Sequence, residues 1–206
     1  MSAKIKSPER LVFFSDAVVA IAMTLLVLPL ADVVKEYGNP GDPRHASSYQ
    51  LFHDNRWIIG SFLLSFVVIM RFWLSHHRIF ENVKAYSQPL MLVNMAWMLS
   101  IVILPFPTEM VAQFHGDDRL THIVYVGNLF LSSVLLTSLE WIIRHDPEVR
   151  GDEGTISDRR WFDGVTTSGT LAVVWVLMVV FPSLSYYPLL INILQPQLVR
   201  LRFRKR

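Results

Sequence analysis

The sequence predicts an all-α integral membrane protein with six transmembrane helices in one domain. Hydrophobic residues make up 52% of the 206 residues and charged residues only 17%, whereas soluble domains carry about 25% charged residues. The mean hydropathy is +0.37. The charges are also grouped, so that several weakly charged segments each reach the roughly 20 residues that a helix needs to cross a bilayer core. Residues 1–206 are therefore expected to form a single six-helix transmembrane domain, without room for a separate soluble one.

The first predicted span covers residues 8–34 and begins with helix-start signals. Pro8 suits the first helical position, where no backbone N–H is needed. Beyond the first turn, only two carboxylates are charged in this segment. Pro29 lies in the helix interior, where it frees the Leu25 carbonyl and predicts a kink in the outer half of the span.

The next three spans follow from apolar segments bounded by polar connectors. A second span is predicted at 52–77, with the uncharged centre WIIGSFLLSFVVIM. A third is predicted at 88–107, where Pro105 and Pro107 are expected to end it. A fourth is predicted at 120–144, before the most charged segment of the chain.

The last apolar segment, 164–199, contains no charged residue. As one straight helix it would be roughly 54 Å long, well beyond the hydrocarbon thickness of about 30 Å. Pro182 and Pro188 indicate a turn within it. The segment therefore predicts two spans, at 160–182 and 185–204.

The distribution of basic residues predicts that both termini are cytoplasmic. With six spans the termini lie on the same side of the membrane. Only Lys35, Arg44, Arg56 and Arg119 of the 19 Lys and Arg residues then fall on the opposite side, and an excess of basic residues marks the cytoplasmic face.

Several function classes are excluded or left without support by the composition. The chain has no cysteine, so disulfides, thiolate metal ligands and thiol nucleophiles are excluded. His76 and His77 are adjacent on a helix and do not share a face, so no structural metal site is predicted. Phosphate-binding glycine loops and Ser/His/Asp spacings are absent, and no enzyme activity, cofactor or nucleic-acid partner is predicted.

A polar motif interrupts the start of the first span. Arg10 is followed, after three residues, by Phe14, Ser15 and Asp16. An intramembrane carboxylate is costly unless it has a partner inside the protein. Arg10 and Asp16 are six residues apart and do not form an i,i+4 pair, so the partners of Asp16 must come from other helices.

Candidate partners at a similar depth are Trp73 and either His76 or His77 in the second span, and Asn94 in the third. Among these, Trp73, His77 and Asn94 are the predicted set. Hydrogen bonds from them would lock the first three helices together. The alternative is a proton relay through Asp16 and a histidine.

The complete pattern R-x-x-x-F-S-D and its apolar continuation AVVAIAMTLLVLPL resemble the first helix of the transmembrane protein 175 family. Members of that family are potassium-permeable channels of lysosomes and of prokaryotic membranes, and prokaryotic members carry one six-helix repeat per chain. The resemblance implies a potassium channel in the plasma membrane of a prokaryote. We predict that Arg10, Phe14, Ser15 and Asp16 have a structural role in holding this helix and do not coordinate ions.

One face of the first helix is the predicted pore surface. Ile21, Leu25 and Leu28 form a stripe, with Thr24 beside it and Asp32 continuing it. From the residues alone, such a stripe is typical of ordinary core or lipid-facing packing. Because one helix cannot enclose a pore, a channel needs symmetric copies. We expect a homotetramer in which this face of the first helix lines the fourfold axis.

In such a tetramer, apolar rings of Ile21, Leu25 and Leu28 can gate by excluding water, and a ring of Asp32 at the outer mouth attracts cations. The resemblance implies that Ile21 is the constriction and that Thr24 is linked to potassium preference, with potassium passing near both. The chain has no TVGYG-type filter.

Two other function classes stay open at this point. A proton- or cation-coupled transporter would place its site at the membrane midplane within one protomer. A non-conducting scaffold or haem-binding bundle is a further alternative.

Overall fold

The computed structural model is all-helical and describes residues 8–37, 47–81, 83–114, 118–151 and 158–180, without the side chains of Glu36 and Arg159. Its helices are α1 (Glu9–Leu25), α2 (Leu28–Tyr37), α3 (Ser48–Asp54), α4 (Arg56–Phe80), α5 (Gln88–Ile103), α6 (Pro105–Gln113), α7 (Arg119–His145) and α8 (Asp158–Val180). The predicted sixth span at 185–204 lies outside the described residues.

Five segments of the described chain are helical, long and apolar enough to cross a membrane. They are Glu9–Lys35, Arg56–Phe80, Gln88–Gln113, Arg119–His145 and Arg160–Val180. The first, fourth and fifth nearly coincide with the predicted spans at 8–34, 120–144 and 160–182.

The second span differs from the predicted 52–77 because the chain forms two helices there. The short α3 is closed at its start by a capping box, in which Ser47 and Gln50 bond each other's backbone N–H. A turn at Asn55 separates α3 from α4. The membrane helix therefore begins at Arg56 and continues to Phe80, three residues beyond the predicted end.

The third span also differs, because its prolines do not end it. The helix breaks at Leu104, whose N–H bonds the Ile101 carbonyl at 3.2 Å, and it continues as α6. Pro105 and Pro107 lie in the first turn of α6, where backbone N–H groups have no intrahelical acceptor. These prolines restart the helix, and the span reaches Gln113 instead of ending at 107.

The first span breaks where Pro29 predicts it. α1 ends at Leu25 and α2 begins at Leu28. Pro29 has no N–H to donate to the Leu25 carbonyl, and the chain tightens locally, with the Val27 N–H bonding the Thr24 carbonyl at 3.2 Å.

α7 lies at the centre of the described bundle, in contact with α4, α5, α6 and α8. Buried hydroxyl and amide groups join it to its neighbours. Asn128 donates to the Ser100 carbonyl at 2.9 Å, and Ser133 and Ser168 share a hydrogen bond of the same length. Such bonds between membrane helices satisfy polar groups that lipid cannot.

α1 lies at the edge of the described bundle. It contacts α4, α5 and α6 along one side, where Ser15, Val19 and Ala22, and Leu26 just after the helix end, are buried. These residues recur at helical spacing and form one continuous buried stripe. The opposite side of α1 faces away from the described bundle.

Candidate functional site

The face of α1 and α2 that points away from the bundle carries the predicted pore residues. Ile21 is 59% exposed, Leu28 54% and Leu25 39%, and Thr24 between them is exposed too. No described helix covers this stripe. The structure therefore brings these four side chains onto one open surface.

Thr24 is held in a defined orientation on this surface. Its hydroxyl donates to the Ile21 carbonyl in the preceding turn, at 2.7 Å. A hydroxyl whose proton is engaged by the backbone keeps its oxygen lone pairs free. Thr24 can therefore offer an oxygen ligand to a cation on this face.

Along α2, this face ends in a pair of opposite charges. Asp32 Oδ1 lies 2.8 Å from Lys35 Nζ, and both side chains are largely exposed. Lys35 is a residue that the sequence argument missed. The i,i+3 spacing within one helix was the signal that could have identified it as the partner of Asp32.

Asp16 accepts a hydrogen bond from α4. The indole N–H of Trp73 donates to Asp16 Oδ1 at 2.8 Å, across the α1–α4 contact. A hydrogen bond to a carboxylate is stronger than one between neutral groups. Of the three partners predicted for Asp16, Trp73 is the one that the structure places on its carboxylate.

Asn94 lies beside the motif but contacts Ser15 instead of Asp16. Its amide Nδ2 donates to Ser15 Oγ at 2.9 Å, and Ser15 Oγ donates to the Leu11 carbonyl at 2.9 Å. The Asn94 carbonyl lies 2.7 Å from Nε2 of His76. Asn94 therefore joins α1 to α4 from its position in α5.

The tautomer of His76 follows from this network. Because Asn94 donates through Nδ2, its Oδ1 is the acceptor, so His76 carries its proton on Nε2. Nδ1 is then an acceptor without a hydrogen-bond partner among the described residues. The buried imidazole stacks on Trp97, with centroids 4.1 Å apart and planes within 7°.

His77 takes a different position from the one predicted. It is exposed, and its ring packs against Trp73 with centroids 5.5 Å apart. Adjacent residues on a helix point about 100° apart, so only one of the two histidines can face the bundle. His76 is that residue, and the predicted contact of His77 with Asp16 is not among the described hydrogen bonds.

The motif residues Arg10 and Phe14 are exposed on the outside of α1, so the structure divides the motif between two faces. Ser15 and Asp16 take part in the contacts with α4 and α5. Within the described part of the chain, no three His, Cys, Asp or Glu side chains come together as a metal site.

The family model described as "Endosomal/lysosomal potassium channel TMEM175" matches residues 10–105. A protein of Streptomyces collinus named potassium channel is 34% identical over 136 residues, which are 64% of this chain and 62% of that protein. A protein of Chamaesiphon minutus, also named potassium channel, is 31% identical over 148 residues, which are 66% of this chain and 68% of that protein. The match to the Streptomyces protein thus spans about three fifths of its length.

More distant relatives and one solved structure extend the comparison. The human protein named endosomal/lysosomal proton channel TMEM175 is 28% identical over 110 residues, 53% of this chain and 21% of that protein. The crystal structure of a lysosomal potassium-selective channel TMEM175 homolog from Chamaesiphon minutus has a TM-score of 0.71 and 24% identity. That likeness covers 93% of this chain and 97% of the other and concerns the fold.

Proposed function

The chain belongs to the TMEM175 family, and from that premise we propose that it is a potassium-permeable channel that conducts along α1. Two bacterial relatives that are more than 30% identical to it are named potassium channels. The fold is that of a TMEM175 homolog named as potassium-selective. Ion transport across a lipid bilayer is therefore the function class that the comparisons support.

The proposed position of the pore rests on the uncovered face of α1. α1 packs its small and polar residues Ser15 and Ala22 into the bundle and leaves Ile21, Leu25 and Leu28 uncovered by any described helix. A single helix cannot enclose a passage, so four copies with this face on a shared axis would complete one. We therefore propose a homotetramer. From the distribution of basic residues we further propose that it lies in the plasma membrane with both termini cytoplasmic.

In this assembly Ile21 forms the narrowest ring and Leu25 and Leu28 form further apolar rings. Apolar constrictions gate by excluding water. Thr24, one turn beyond Ile21, supplies hydroxyl oxygens and accounts for preference among monovalent cations. The contacts of Asp16 with Trp73, and of Asn94 with its neighbours, hold α1 in place and do not coordinate ions.

A flux measurement tests the proposal directly. The purified protein is reconstituted into liposomes, and potassium and sodium flux are compared for the wild type and Ile21→Asn. We expect a larger flux and a weaker ion preference in the variant, because a polar side chain keeps the constriction wet. Leu99→Asn on α5 is the matched control, because Leu99 is also 59% exposed but does not lie on α1.

A wild type that carries no potassium, or an Ile21→Asn flux equal to that of the wild type, would overturn this proposal. Particle symmetry gives a second readout. A coupled transporter is the alternative class, and it predicts a midplane site inside one protomer and no axial passage.

A further inference from the structure

The outer helix α2 presents three exposed side chains in a row. Leu28, Asp32 and Lys35 are spaced i, i+4 and i+7, so they share one face, while Val33 of the same helix is buried. The Lys35 ammonium lies 2.8 Å from the Asp32 carboxylate, and the two side chains are 76% and 68% exposed. The carboxylate that continues the pore stripe is thus accompanied by a cation on the same surface.

The consequence for a channel is electrostatic. An uncompensated ring of carboxylates at a pore mouth concentrates cations and raises the rate at which they enter. A ring of ammonium groups at the same level repels cations and opposes the effect of the carboxylates. Each protomer contributes one Asp32 and one Lys35. The negative charge of one ring therefore equals the positive charge of the other in any symmetric assembly, whatever its number of copies.

The cancellation does not depend on the hydrogen bond between the two side chains. An exposed ion pair is weak and is often open. Both charges nevertheless stay on the same helix face, three residues apart, and their fields overlap within a Debye length of about 10 Å at 0.1 M salt. The Lys35 charge therefore acts on the mouth in the paired and the open state.

We propose that Lys35 sets cation entry at the outer mouth by neutralising Asp32, so that this mouth limits conductance when salt is low. The inference rests on the proposed channel function and on α2 lying near the pore axis. It assigns Lys35 a role in conduction, alongside Ile21 and Thr24.

The experiment measures single-channel potassium conductance in planar bilayers, at about 0.05 M and about 1 M potassium chloride, where the Debye lengths are roughly 13 Å and 3 Å. Lys35→Gln leaves an uncompensated carboxylate ring and should raise the low-salt conductance by about two-fold or more. Asp32→Asn leaves the ammonium ring and should lower it by a similar factor. Glu36, the neighbouring acidic residue, is kept in every variant.

Two further variants separate position from net charge. The double variant Asp32→Asn/Lys35→Gln has no charge at either position, so its low-salt conductance should return to that of the wild type. Arg56→Gln removes one positive charge from the exposed start of α4, on the same side of the membrane by the proposed orientation, and should leave conductance unchanged. At about 1 M salt all variants should converge, because the field is screened.

The outcomes distinguish this inference from the proposed function. If the wild type conducts potassium and Lys35→Gln has the same low-salt conductance, Lys35 has no role at the mouth and only this inference fails. An equal effect of Arg56→Gln, or an effect that persists at high salt, rejects it as well. If neither the wild type nor Ile21→Asn conducts, the channel proposal fails and this inference fails with it.

Discussion

Trp73 on α4 donates its indole N–H to the carboxylate of Asp16 on α1, with 2.8 Å between Nε1 and Oδ1. Asp16 is half-buried, in a segment apolar enough to cross a membrane. In such surroundings a carboxylate needs a donor from the protein, since lipid supplies none. The contact therefore explains how an acidic residue is tolerated in α1, and it joins α1 to the rest of the bundle.

Trp73→Phe should destabilise the protein while keeping an aromatic ring in place. Loss of a hydrogen bond to a charged acceptor costs about 1.5–3 kcal/mol, and the midpoint of thermal unfolding in detergent should fall accordingly. Trp57→Phe at the exposed start of the same helix is the control and should have little effect. Equal midpoints for Trp73→Phe and wild type would contradict the role given to this contact.

Asp16→Asn separates the structural role of Asp16 from a proton relay. The amide keeps an Oδ1 acceptor for Trp73, so a structural role predicts near-normal assembly and flux with unchanged pH dependence. A relay predicts normal assembly with altered pH dependence alone. Potassium flux into liposomes, measured across a pH series for both proteins, distinguishes these outcomes.

Asn94→Leu should destabilise the protein because it leaves a buried donor without an acceptor. His76 Nε2 lies 2.7 Å from the Asn94 carbonyl, and an unsatisfied buried N–H costs about 1–3 kcal/mol. The stability of His76→Phe/Asn94→Leu tests the pairing, since Phe can keep the stack on Trp97 without needing an acceptor. The double variant should lose less than the two single variants combined, and additive losses would show that the two residues act independently.

Much of the architecture could be predicted from the sequence, because uncharged segments and membrane thickness leave few alternatives. The five described spans, the break near Pro29 and the family all follow from such local signals. The continuation past Pro105 could not be predicted, because a proline ends one helix and begins another with equal ease. In the structure α6 packs against α4 and α7, and contacts of this kind between distant parts of the chain favour the second outcome.

The details of the polar network were less accessible to sequence reasoning. Whether His76 or His77 faces inward depends on the rotation of α4 about its axis, and α4 packs against α6, α1 and α7. Likewise, depth alone placed Asn94 near Asp16, whereas the structure pairs it with Ser15, one residue away and about 100° around α1. The roles of Ile21, Leu25, Leu28, Thr24 and Asp32 remain predictions.

Gly127→Ala should loosen the contact between α7 and α8. A Cβ atom at this position would lie 2.9 Å from Trp175 Nε1, and that nitrogen donates to the Ile123 carbonyl at 3.0 Å. The indole would have to move and lose its acceptor, at a cost of about 1–3 kcal/mol. Thermal unfolding in detergent measures the loss.

Gly169→Ala on α8 is the matched control, because a Cβ atom there meets nothing within 4 Å. Alanine is the better helix former, so this variant should be neutral or slightly stabilised. A similar loss of stability in both variants would show that the Gly127–Trp175 contact is not the cause.

Asp118 should make the start of α7 sensitive to acid. Its carboxylate accepts from the Thr121 N–H at 2.8 Å and from the Thr121 hydroxyl at 2.9 Å, and these bonds lower the pKa of Asp118 below its ordinary value of 3.8. A lowered pKa stabilises the folded state at any pH above 3.8. That stabilisation is lost as the pH falls through the lowered pKa, because the unfolded chain takes up the proton first.

Asp118→Asn cannot titrate, so comparing it with the wild type isolates this contribution. The wild-type unfolding midpoint should be the higher of the two near neutral pH, and the difference should shrink as the pH falls below 3.8. A difference that stays constant across the acid range would mean that the Asp118 carboxylate contributes nothing through its charge.

Thr24→Val should weaken the preference for potassium over sodium while keeping the size of the side chain. The Thr24 hydroxyl proton is engaged by the Ile21 carbonyl. In the proposed pore the hydroxyl oxygen is the group left to face an ion, and valine removes it. We expect the permeability ratio from bi-ionic reversal potentials to fall by about three-fold, which corresponds to roughly 0.7 kcal/mol. Thr24→Ser keeps the oxygen and should keep the ratio, which separates the hydroxyl from the methyl group. An unchanged ratio in Thr24→Val would place the origin of ion preference elsewhere, and a loss in both variants would point to packing around the Ile21 ring.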